Sequence, residues 1–179
     1  MNIRYLLLPL CFLMVFSIAR AQVSTAPPKH NFSIGPIGGY DYKFKRASYG
    51  AGLIYEYRPF QQVGFTAGFN YERTRKNLSP SDYGELLLHD VYSLSIGARY
   101  YVGDLYLGGA LGVGHENADV KLEDGSERNA MNAYSLYKSL GAGYLIPLRN
   151  RDAIEVEAGV FGTSTSMKLG GAVRYKMRR

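Results

Sequence analysis

The sequence has one cysteine and no tryptophan. The cysteine, Cys11, lies in an apolar N-terminal segment, where it follows Pro9 and Leu10 rather than the small residues of a lipoprotein signal. Lipid anchoring through Cys11 is therefore not expected. Because there is no other cysteine, the chain after this segment has no disulfide framework and no thiol chemistry.

Helical periodicity is missing as well. No stretch repeats apolar residues at the spacing of an amphipathic helix, and no change in composition marks a second domain. Basic residues exceed acidic ones mildly, with 21 Lys and Arg against 15 Asp and Glu. The excess is scattered apart from "KFKR" and the terminal "KMRR", so no nucleic-acid partner is expected.

The first 21 residues have the pattern of a secretory signal peptide. Arg4 precedes an apolar run that reaches Ala19, and Ala19-Arg20-Ala21 is a small-residue cleavage pattern. The run is short for a membrane span, so a cleaved signal is favoured over an N-terminal anchor. The chain is therefore divided into a cleaved signal peptide (1–21), a short periplasmic lead (22–30) and one barrel domain (31–179).

Glycine and tyrosine are abundant, with 21 and 16 copies. From Val91 to Tyr101 the chain reads "VYSLSIGARYY", in which apolar residues alternate with small or polar ones. A period of two is the pattern of a β-strand with two different faces. Segments of this kind predict eight strands, at residues 31–44, 47–58, 62–74, 88–101, 104–117, 131–146, 152–163 and 165–176.

The two faces of these strands differ in size as well as in polarity. In the third strand one face carries Phe65 and Phe69, whereas the other carries Gly68. A strand face in water has no need of glycine, which weakens strands, but the inside of a narrow barrel has little room. Tyr92 and Tyr100 lie near strand ends, where membrane barrels have aromatic girdles. The pattern predicts an all-β fold, an eight-stranded antiparallel up-and-down transmembrane β-barrel with its apolar face toward lipid.

Connection lengths favour the same fold class. The turns after the second, fourth and sixth strands are short, whereas "RKNLSPSDYGELLL" and "ENADVKLEDGSERNAMN" on the other side are long and polar. Outer-membrane barrels combine short periplasmic turns with longer extracellular loops. We therefore expect the two long connections to form extracellular loops 2 and 3.

The inward positions of the predicted barrel include ionisable residues. These need partners, because an isolated charge in a narrow lumen is costly. We expect one ion-pair layer near the periplasmic end and a second near the outer end, which Asp41 could join. The expected lumen network comprises Glu56, Arg99, Glu155, Glu157, Arg174, Glu72 and Lys168. Such a network would close the lumen; a gated, ion-selective pore is the alternative.

Lys138 falls in the outward register of the sixth strand. A lysine costs about 2–4 kcal/mol at mid-bilayer and about 0–1 kcal/mol at the interface. We therefore expect Lys138 at the outer rim, beside a head-group phosphate, with residues 134–137 above the membrane. A β-bulge that turns Lys138 inward is the alternative.

The signal peptide, the eight strands and the last strand resemble small outer-membrane β-barrels of the OmpA/OmpX type, and most of all the outer-membrane β-barrel domain proteins of Bacteroidota. The final strand "KLGGAVRY" is similar to the signal that the barrel-assembly machinery reads in that superfamily. The resemblance assigns this assembly signal to Lys168, Gly170, Val173 and Tyr175. It implies insertion into the bacterial outer membrane, with lipid and lipopolysaccharide as partners. The chain departs from the pattern at its end, where "KMRR" follows.

Catalytic and metal-binding patterns are weak. One deacylase family of this size places Ser two residues after His, and none of the three histidines meets that test. His89 and His115 could still assemble a triad with Ser93 and Glu116 from adjacent strands, or bind a metal with Asp90 and Glu116. We expect these to be rim residues, and therefore no catalytic residue, no metal and no cofactor.

The leading interpretation is a non-enzymatic outer-membrane barrel with a closed lumen. It would serve envelope integrity, or it would mediate surface adhesion or bind a protein partner through extracellular loops 2 and 3, since loops carry function in this architecture. Three alternatives stay open: a barrel enzyme that modifies outer-leaflet lipid such as lipid A, a narrow pore, and a soluble lipocalin-like binder.

Overall fold

Eight β-strands make up most of the described chain. The computed structural model describes residues 29–78, 86–122, 126–149 and 151–179. The strands are β1 (His30–Asp41), β2 (Arg46–Tyr57), β3 (Val63–Asn77), β4 (Leu86–Val102), β5 (Leu105–Lys121), β6 (Glu127–Pro147), β7 (Ala153–Thr163) and β8 (Met167–Arg178). The expected signal peptide and nearly all of the expected lead lie outside the described residues. No helix within the described ranges is long and apolar enough to cross a membrane.

All neighbouring strands pair antiparallel, and β1 also pairs with β8, so the sheet closes into a barrel. The strands follow one another around the barrel in chain order, which confirms the predicted eight-stranded up-and-down fold. Following paired residues once around the barrel from Asn31 leads back to β1 at Asp41, ten residues farther on. This stagger corresponds to a strand tilt of about 40°, which is typical of membrane barrels.

The outer surface of the barrel is apolar, as the alternation predicts. Leu94 and Ile96 of β4 are 67% and 74% exposed. Bulky side chains of the other strands are exposed in the same way, among them Phe65, Leu107, Leu140, Val156 and Leu169. A continuous apolar surface of this extent is a membrane-facing or partner-facing surface rather than a water-facing one.

The interior of the barrel is narrow and is lined mainly by polar side chains. Its buried residues include charged side chains from four strands, at Glu56, Arg99, Glu155, Lys168 and Lys176. A small apolar cluster of Tyr101, Tyr106, Leu145 and Ala153 lies at the periplasmic end. The barrel is therefore inside out compared with a soluble protein, in which apolar residues fill the interior.

Strands β3 to β6 are longer than the sequence predicts. β3 runs to Asn77, β4 begins at Leu86, β5 runs to Lys121 and β6 begins at Glu127. Much of the segments expected as loops 2 and 3 is therefore β-sheet. The alternation of apolar residues does not reveal these extensions, because polar residues occur on both of their faces.

Candidate functional site

Arg99 is the centre of an ion-pair layer near the periplasmic end of the lumen. Its Nη1 donates to Glu155 Oε2 at 2.9 Å and to Glu56 Oε2 at 3.3 Å. Its Nη2 donates to Glu157 Oε2 and to Glu155 Oε1, both at 3.0 Å. Because Arg99, Glu56 and Glu155 are all buried, these are charge-assisted hydrogen bonds shielded from solvent.

Two cations of β8 complete this layer. Arg174 Nη1 donates to Glu155 Oε1 at 2.8 Å and to Glu157 Oε2 at 3.1 Å. Lys176 Nζ lies 2.5 Å from Glu56 Oε2 and 3.5 Å from Glu155 Oε2. Three carboxylates therefore face three cations. Lys176 is not among the residues of the expected lumen network, although the inward alternation of β8 extends to it.

Two inward tyrosines, also missed by the sequence analysis, support the carboxylates. The Tyr101 hydroxyl donates to the Glu56 carboxylate, with oxygen distances of 2.8 and 2.9 Å. The Tyr106 hydroxyl donates to Glu157 Oε2 at 2.6 Å. Alternation from Arg99 on β4 places Tyr101 on the inward face, but it does not predict that the Tyr101 hydroxyl bonds to Glu56.

Arg58 closes the periplasmic mouth from outside the strands. It lies in the turn after β2, and its guanidinium is 3.7 Å from the centre of the Tyr101 ring. Burial lowers the pKa of Arg58 from its usual value, yet arginine starts so high that the side chain stays charged. The cation–π contact and the apolar cluster beside Tyr101 leave this end of the lumen filled.

Lys168 and Glu72 form a second ion pair toward the extracellular end. Lys168 Nζ donates to Glu72 Oε2 at 2.7 Å, and both side chains are buried. Asp41 is not part of this layer. Its carboxylate accepts hydrogen bonds from the backbone N–H groups of Lys43 and Phe44 at 2.9 and 3.0 Å. The expectation that Asp41 could join the outer layer is corrected, because the turn after β1 already satisfies its charge.

A cavity of about 60 Å³ lies between the two ion-pair layers. Its lining includes Asn70 and Tyr137 on the side of the outer layer, and Arg99 and Arg174 on the other side. Asn70 Oδ1 and Arg174 Nε are buried without a hydrogen-bond partner among the described residues. A space of this volume admits a few water molecules, which can hydrate both atoms. The arrangement is a small polar chamber between two ion-pair layers.

His89 and Glu116 meet at the extracellular rim of the lumen. The imidazole Nε2 lies 3.1 Å from Glu116 Oε2, and the hydroxyls of Ser135 and Thr165 donate to Glu116 Oε1 at 2.5 Å. Ser93 bonds to an asparagine instead. No hydroxyl of the described residues bonds to the His89 ring, so the nucleophile-to-base contact of a catalytic triad is not formed by these groups.

The side chains considered for a metal site are divided between the two faces of the sheet. His89 and Glu116 point into the lumen, whereas Asp90 and His115 lie on the outer surface, where Arg73 holds Asp90. Successive residues of a strand point to opposite faces, so these four cannot converge on one ion. Across the part of the chain that the structure describes, no group of three or more His, Cys, Asp or Glu side chains could hold a metal.

Lys138 lies exposed on the outer surface. It pairs with Leu111 and Gly162 in a regular ladder, and the irregularity of β6 lies farther out, opposite residues 118–119. The alternative of a bulge at Lys138 is therefore wrong. Tyr137 is expected above the membrane from the sequence but is buried in the lumen. It directly precedes Lys138 in the strand, so its side chain points to the opposite face.

The four positions expected to form the assembly signal lie on β8. Val173 and Tyr175 are exposed on the outer surface. Lys168 forms the outer ion pair, and a Cβ atom at Gly170 would overlap the backbone of Gly38. All four positions thus contribute to the folded barrel, and their recognition during assembly stays a prediction.

Several solved structures are similar to this chain, whereas comparisons of its sequence find no match. No protein-family model matches the chain, and no curated protein matches it. One similar solved structure is Ail, the attachment invasion locus protein of Yersinia pestis, crystallised in complex with the heparin analogue sucrose octasulfate. The match has a TM-score of 0.59 and 22% sequence identity, and it covers 85% of this chain and 100% of that chain.

Two further solved structures are similar. Neisserial surface protein A matches with a TM-score of 0.51 and 16% identity, over 86% of this chain and 100% of its own. The N-terminal β-barrel domain of Pseudomonas aeruginosa OprF matches with a TM-score of 0.52 and 11% identity, over 85% of this chain and 100% of that domain. Likeness at these identities is likeness of fold.

The resemblance to small outer-membrane barrels that the sequence predicts is thereby confirmed, whereas its narrower assignment to Bacteroidota proteins stays a prediction. The closed antiparallel barrel of eight strands, the apolar outer wall and the similar solved structures agree. The chain has the fold of the small eight-stranded outer-membrane β-barrels.

Proposed function

We propose that the protein is a non-enzymatic outer-membrane barrel that holds a β-sheet above the membrane for binding to a partner. The observation that carries this proposal is the unequal length of the strands. Strands β3 to β6 continue for five or more residues beyond their last outward aromatic position, whereas β1, β2, β7 and β8 end close to that level. We call this extension the protruding sheet; it comprises residues 73–77, 86–90, 117–121 and 127–132.

The protruding sheet is long enough to reach out of the membrane surface. At about 3.3 Å per residue, five or six residues extend roughly 15–20 Å along the strands. Most of its outward residues are polar, beginning with Arg73, Asp90, Asn117 and Asn132, whereas Leu86 and Leu88 of β4 are apolar. The proposed binding site is therefore a β-sheet rather than the loop segments alone.

The outer membrane is the proposed location. Exposed tyrosines flank the apolar band at both ends, as interfacial girdles do; they include Tyr57, Tyr100 and Tyr144 at the periplasmic end, and Tyr40, Tyr49 and Tyr92 at the other. Export through a cleaved signal peptide belongs to the same proposal. So does insertion by the barrel-assembly machinery through the signal on β8.

The barrel itself is proposed to be an anchor rather than a channel. Eight-stranded barrels leave an interior just wide enough for side chains. Here the Arg99 layer closes one end, and the Lys168–Glu72 pair closes the other. A closed anchor of this kind contributes to envelope integrity without conducting solutes.

The proposed partner is an anionic glycan at a cell surface. Exposed cations lie on the turn after β1 and at the base of the protruding sheet, namely Lys43, Lys45, Arg46 and Arg75. None of these four forms an ion pair with a described residue. The structural neighbour Ail was crystallised with a heparin analogue, which makes heparin a suitable first probe.

The test uses the mature protein in lipid nanodiscs and immobilised heparin. Residues 118–131 are replaced by Asn-Gly, which joins the paired positions Asn117 and Asn132 by a two-residue turn and removes most of the hairpin. We expect this variant and the triple variant Lys43→Gln, Arg46→Gln, Arg75→Gln to lose most binding. Arg149→Gln, on the periplasmic side, is the matched control and binds like the wild type.

Two outcomes would contradict the proposal. Unchanged heparin binding by both variants would exclude the protruding sheet and its base as the glycan site. A mature protein that stays monomeric in buffer without detergent would contradict the membrane location and support the lipocalin-like alternative.

A further inference from the structure

The outer wall of β3 to β6 carries three successive rows of different chemistry at the extracellular edge of the apolar band. The four residues of each row are register partners, so they lie side by side across the four strands. The row nearest the middle of the band is apolar and consists of Phe69, Leu94, Val113 and Leu136. Their exposed fractions run from 46% to 67%, so all four are positioned to contact acyl chains.

The second row is an aromatic surface made of Tyr71, Tyr92, His115 and Tyr134. The ring centroids of successive neighbours are 5.0, 6.4 and 4.8 Å apart, and the rings are inclined to one another by 33°, 32° and 47°. Tyr134 is 76% exposed. Electron-rich ring faces in such a row accept the C–H groups on the flat side of a sugar ring.

The third row is polar and consists of Arg73, Asp90, Asn117 and Asn132. Arg73 Nε and Nη2 donate to the two oxygens of Asp90 at 2.6 and 2.7 Å. The hydroxyl of Tyr71 donates to Asp90 at 3.2 Å. These contacts connect the polar row to the aromatic row and fix the carboxylate in place.

The other half of the polar row is held in the same manner. His115 Nε2 donates to Asn132 Oδ1 at 2.9 Å. Asn117 Nδ2 donates to Asp119 at 2.8 Å, and Asn117 Oδ1 accepts from Asn129 at 2.5 Å. The row thus presents oriented donors and acceptors, and Arg73 retains N–H groups beyond those that bind Asp90.

We propose that these three rows form a binding site for one glycolipid of the outer leaflet. Its acyl chains lie on the apolar row, its sugar ring on the aromatic row, and its hydroxyl and phosphate groups on the polar row. Along each strand, the order of the rows matches the order of these groups in an acylated, phosphorylated sugar at a membrane surface. The proposal rests on the proposed outer-membrane location.

Lys138 supplies a further cation on the same wall. It stands two residues before Leu140 and pairs with Leu111, whose strand neighbour Val113 belongs to the apolar row. Because the strands are tilted, each row lies farther toward the extracellular side on β6 than on β3. Lys138 therefore lies near the level of Tyr71 rather than at mid-bilayer. It forms no ion pair with a described residue, so a phosphate of the bound glycolipid is its partner.

The aromatic row differs from an ordinary interfacial girdle. At the same level on β1, Tyr40 and Tyr42 meet edge to face, with rings 5.9 Å apart and inclined by 83°. Because the two rings meet edge to face, that pair offers no common flat surface. A girdle role alone therefore does not account for the arrangement on β3 to β6.

The test compares two anionic lipids on the refolded mature protein in detergent micelles. One probe is lipopolysaccharide without its O-polysaccharide, and the other is phosphatidylglycerol, which has a phosphate but no sugar ring. Native mass spectrometry measures the fraction of protein that retains each lipid. We expect the wild type to bind the glycolipid on the order of tenfold more tightly than phosphatidylglycerol.

The diagnostic variant is the triple substitution Tyr92→Leu, His115→Leu, Tyr134→Leu, which keeps an apolar wall but removes the ring faces. Its preference should fall to about twofold or less, whereas Tyr40→Leu should keep the preference of the wild type. The single variant Tyr134→Leu, at the most exposed ring, should show a partial loss. This single variant tests the proposed site if the triple variant does not fold.

Two results would overturn the site: equal binding of both lipids by the wild type, or an unchanged preference in the aromatic variants. Insertion into phosphatidylcholine vesicles is measured on the same preparations. A wild type that does not insert contradicts the proposed membrane function. A wild type that inserts but shows no glycolipid preference contradicts only the site proposed here.

Discussion

Lys176 Nζ and Glu56 Oε2 lie 2.5 Å apart inside the barrel, although the two residues are 120 positions apart in the chain. Their strands, β8 and β2, are not paired, because β1 lies between them. Both side chains are almost completely buried. The contact therefore exists only because the sheet closes, and it joins the chain terminus to the ion-pair layer around Arg99.

Removal of Lys176 is expected to destabilise the barrel strongly. In Lys176→Met, Glu56 and Glu155 stay buried with one cation fewer, and breaking a buried pair in this way costs about 3–5 kcal/mol. Urea-induced unfolding in phospholipid vesicles measures the difference in unfolding free energy. Lys43→Met, in an exposed turn, should change it by no more than about 0.5 kcal/mol. Equal effects of the two substitutions would show that Lys176 is not part of a stabilising layer.

A charge on the outer wall should be costly in proportion to its depth. Ile96 is 74% exposed between Ala67 and Leu111, and Ile96→Arg should lower the unfolding free energy in vesicles by about 2–4 kcal/mol. Tyr42 lies in the turn after β1, and Tyr42→Arg should cost about 0–1 kcal/mol. If Ile96→Arg proves harmless, the apolar wall does not face lipid.

The wild-type barrel is expected to conduct no ions in planar bilayers. The double variant Lys168→Met, Glu72→Gln removes the outer ion pair, but the Arg99 layer and the packed tyrosines still close the periplasmic end. We therefore expect no conductance steps from this variant either. Regular steps in the wild type would support the narrow pore, and steps only in the double variant would show that the inner layer is permeable.

The rim residues His89 and Glu116 are expected to have no catalytic role. Cells that express the wild type, His89→Ala, His115→Ala or Glu116→Gln should contain the same lipid A species by mass spectrometry. The physical reason is that Glu116 bonds both to the imidazole of His89 and to the hydroxyls of Ser135 and Thr165, so these hydroxyls do not contact the imidazole as a nucleophile would. A lipid A species that is present only with the wild type would establish a barrel enzyme.

Gly112, on the inward face of β5, and Gly38, on the outward face of β1, should differ sharply in their tolerance of a methyl group. A Cβ atom at Gly112 would overlap the carbonyl of Leu94 and approach the backbone of Ser95, whereas one at Gly38 meets only the carbonyl of Ser48, at 3.7 Å. Gly112→Ala should therefore cost about 1–3 kcal/mol, and Gly38→Ala should be neutral or slightly stabilising. Thermal or urea unfolding in vesicles distinguishes them. Equal costs would mean that strand propensity, and not the cramped lumen, selects glycine.

Part of the candidate site follows directly from alternation. Arg99 lies in the inward register of β4 because it follows Ser93, Ser95 and Gly97 at every second position. The same rule places Tyr101 inward, but the network expected from the sequence contains only charged residues. Alternation indicates the face of a side chain, and it does not predict that a hydroxyl bonds to a buried carboxylate, as that of Tyr101 does with Glu56.

Pairing partners could not be derived in the same way. Alternation indicates which face a side chain occupies but not which residues of other strands stand at the same height. That height depends on the stagger of ten residues around the barrel, which is a property of closure. Lys168 could therefore be expected in the outer layer, whereas its contact with Glu72 rather than Asp41 could only be seen once the strands were in register.

The period of two and the small size of one face determined the barrel and its inverted polarity from the sequence alone, because membrane solvation and a cramped interior act on each strand separately. The tertiary structure decided how far β3 to β6 rise above the band and which side chains meet across it. In these extensions polar residues occur on both faces, so no alternation of apolar residues predicts a strand. Inside, only the closed sheet brings Lys176, Glu56 and Arg99 into one layer.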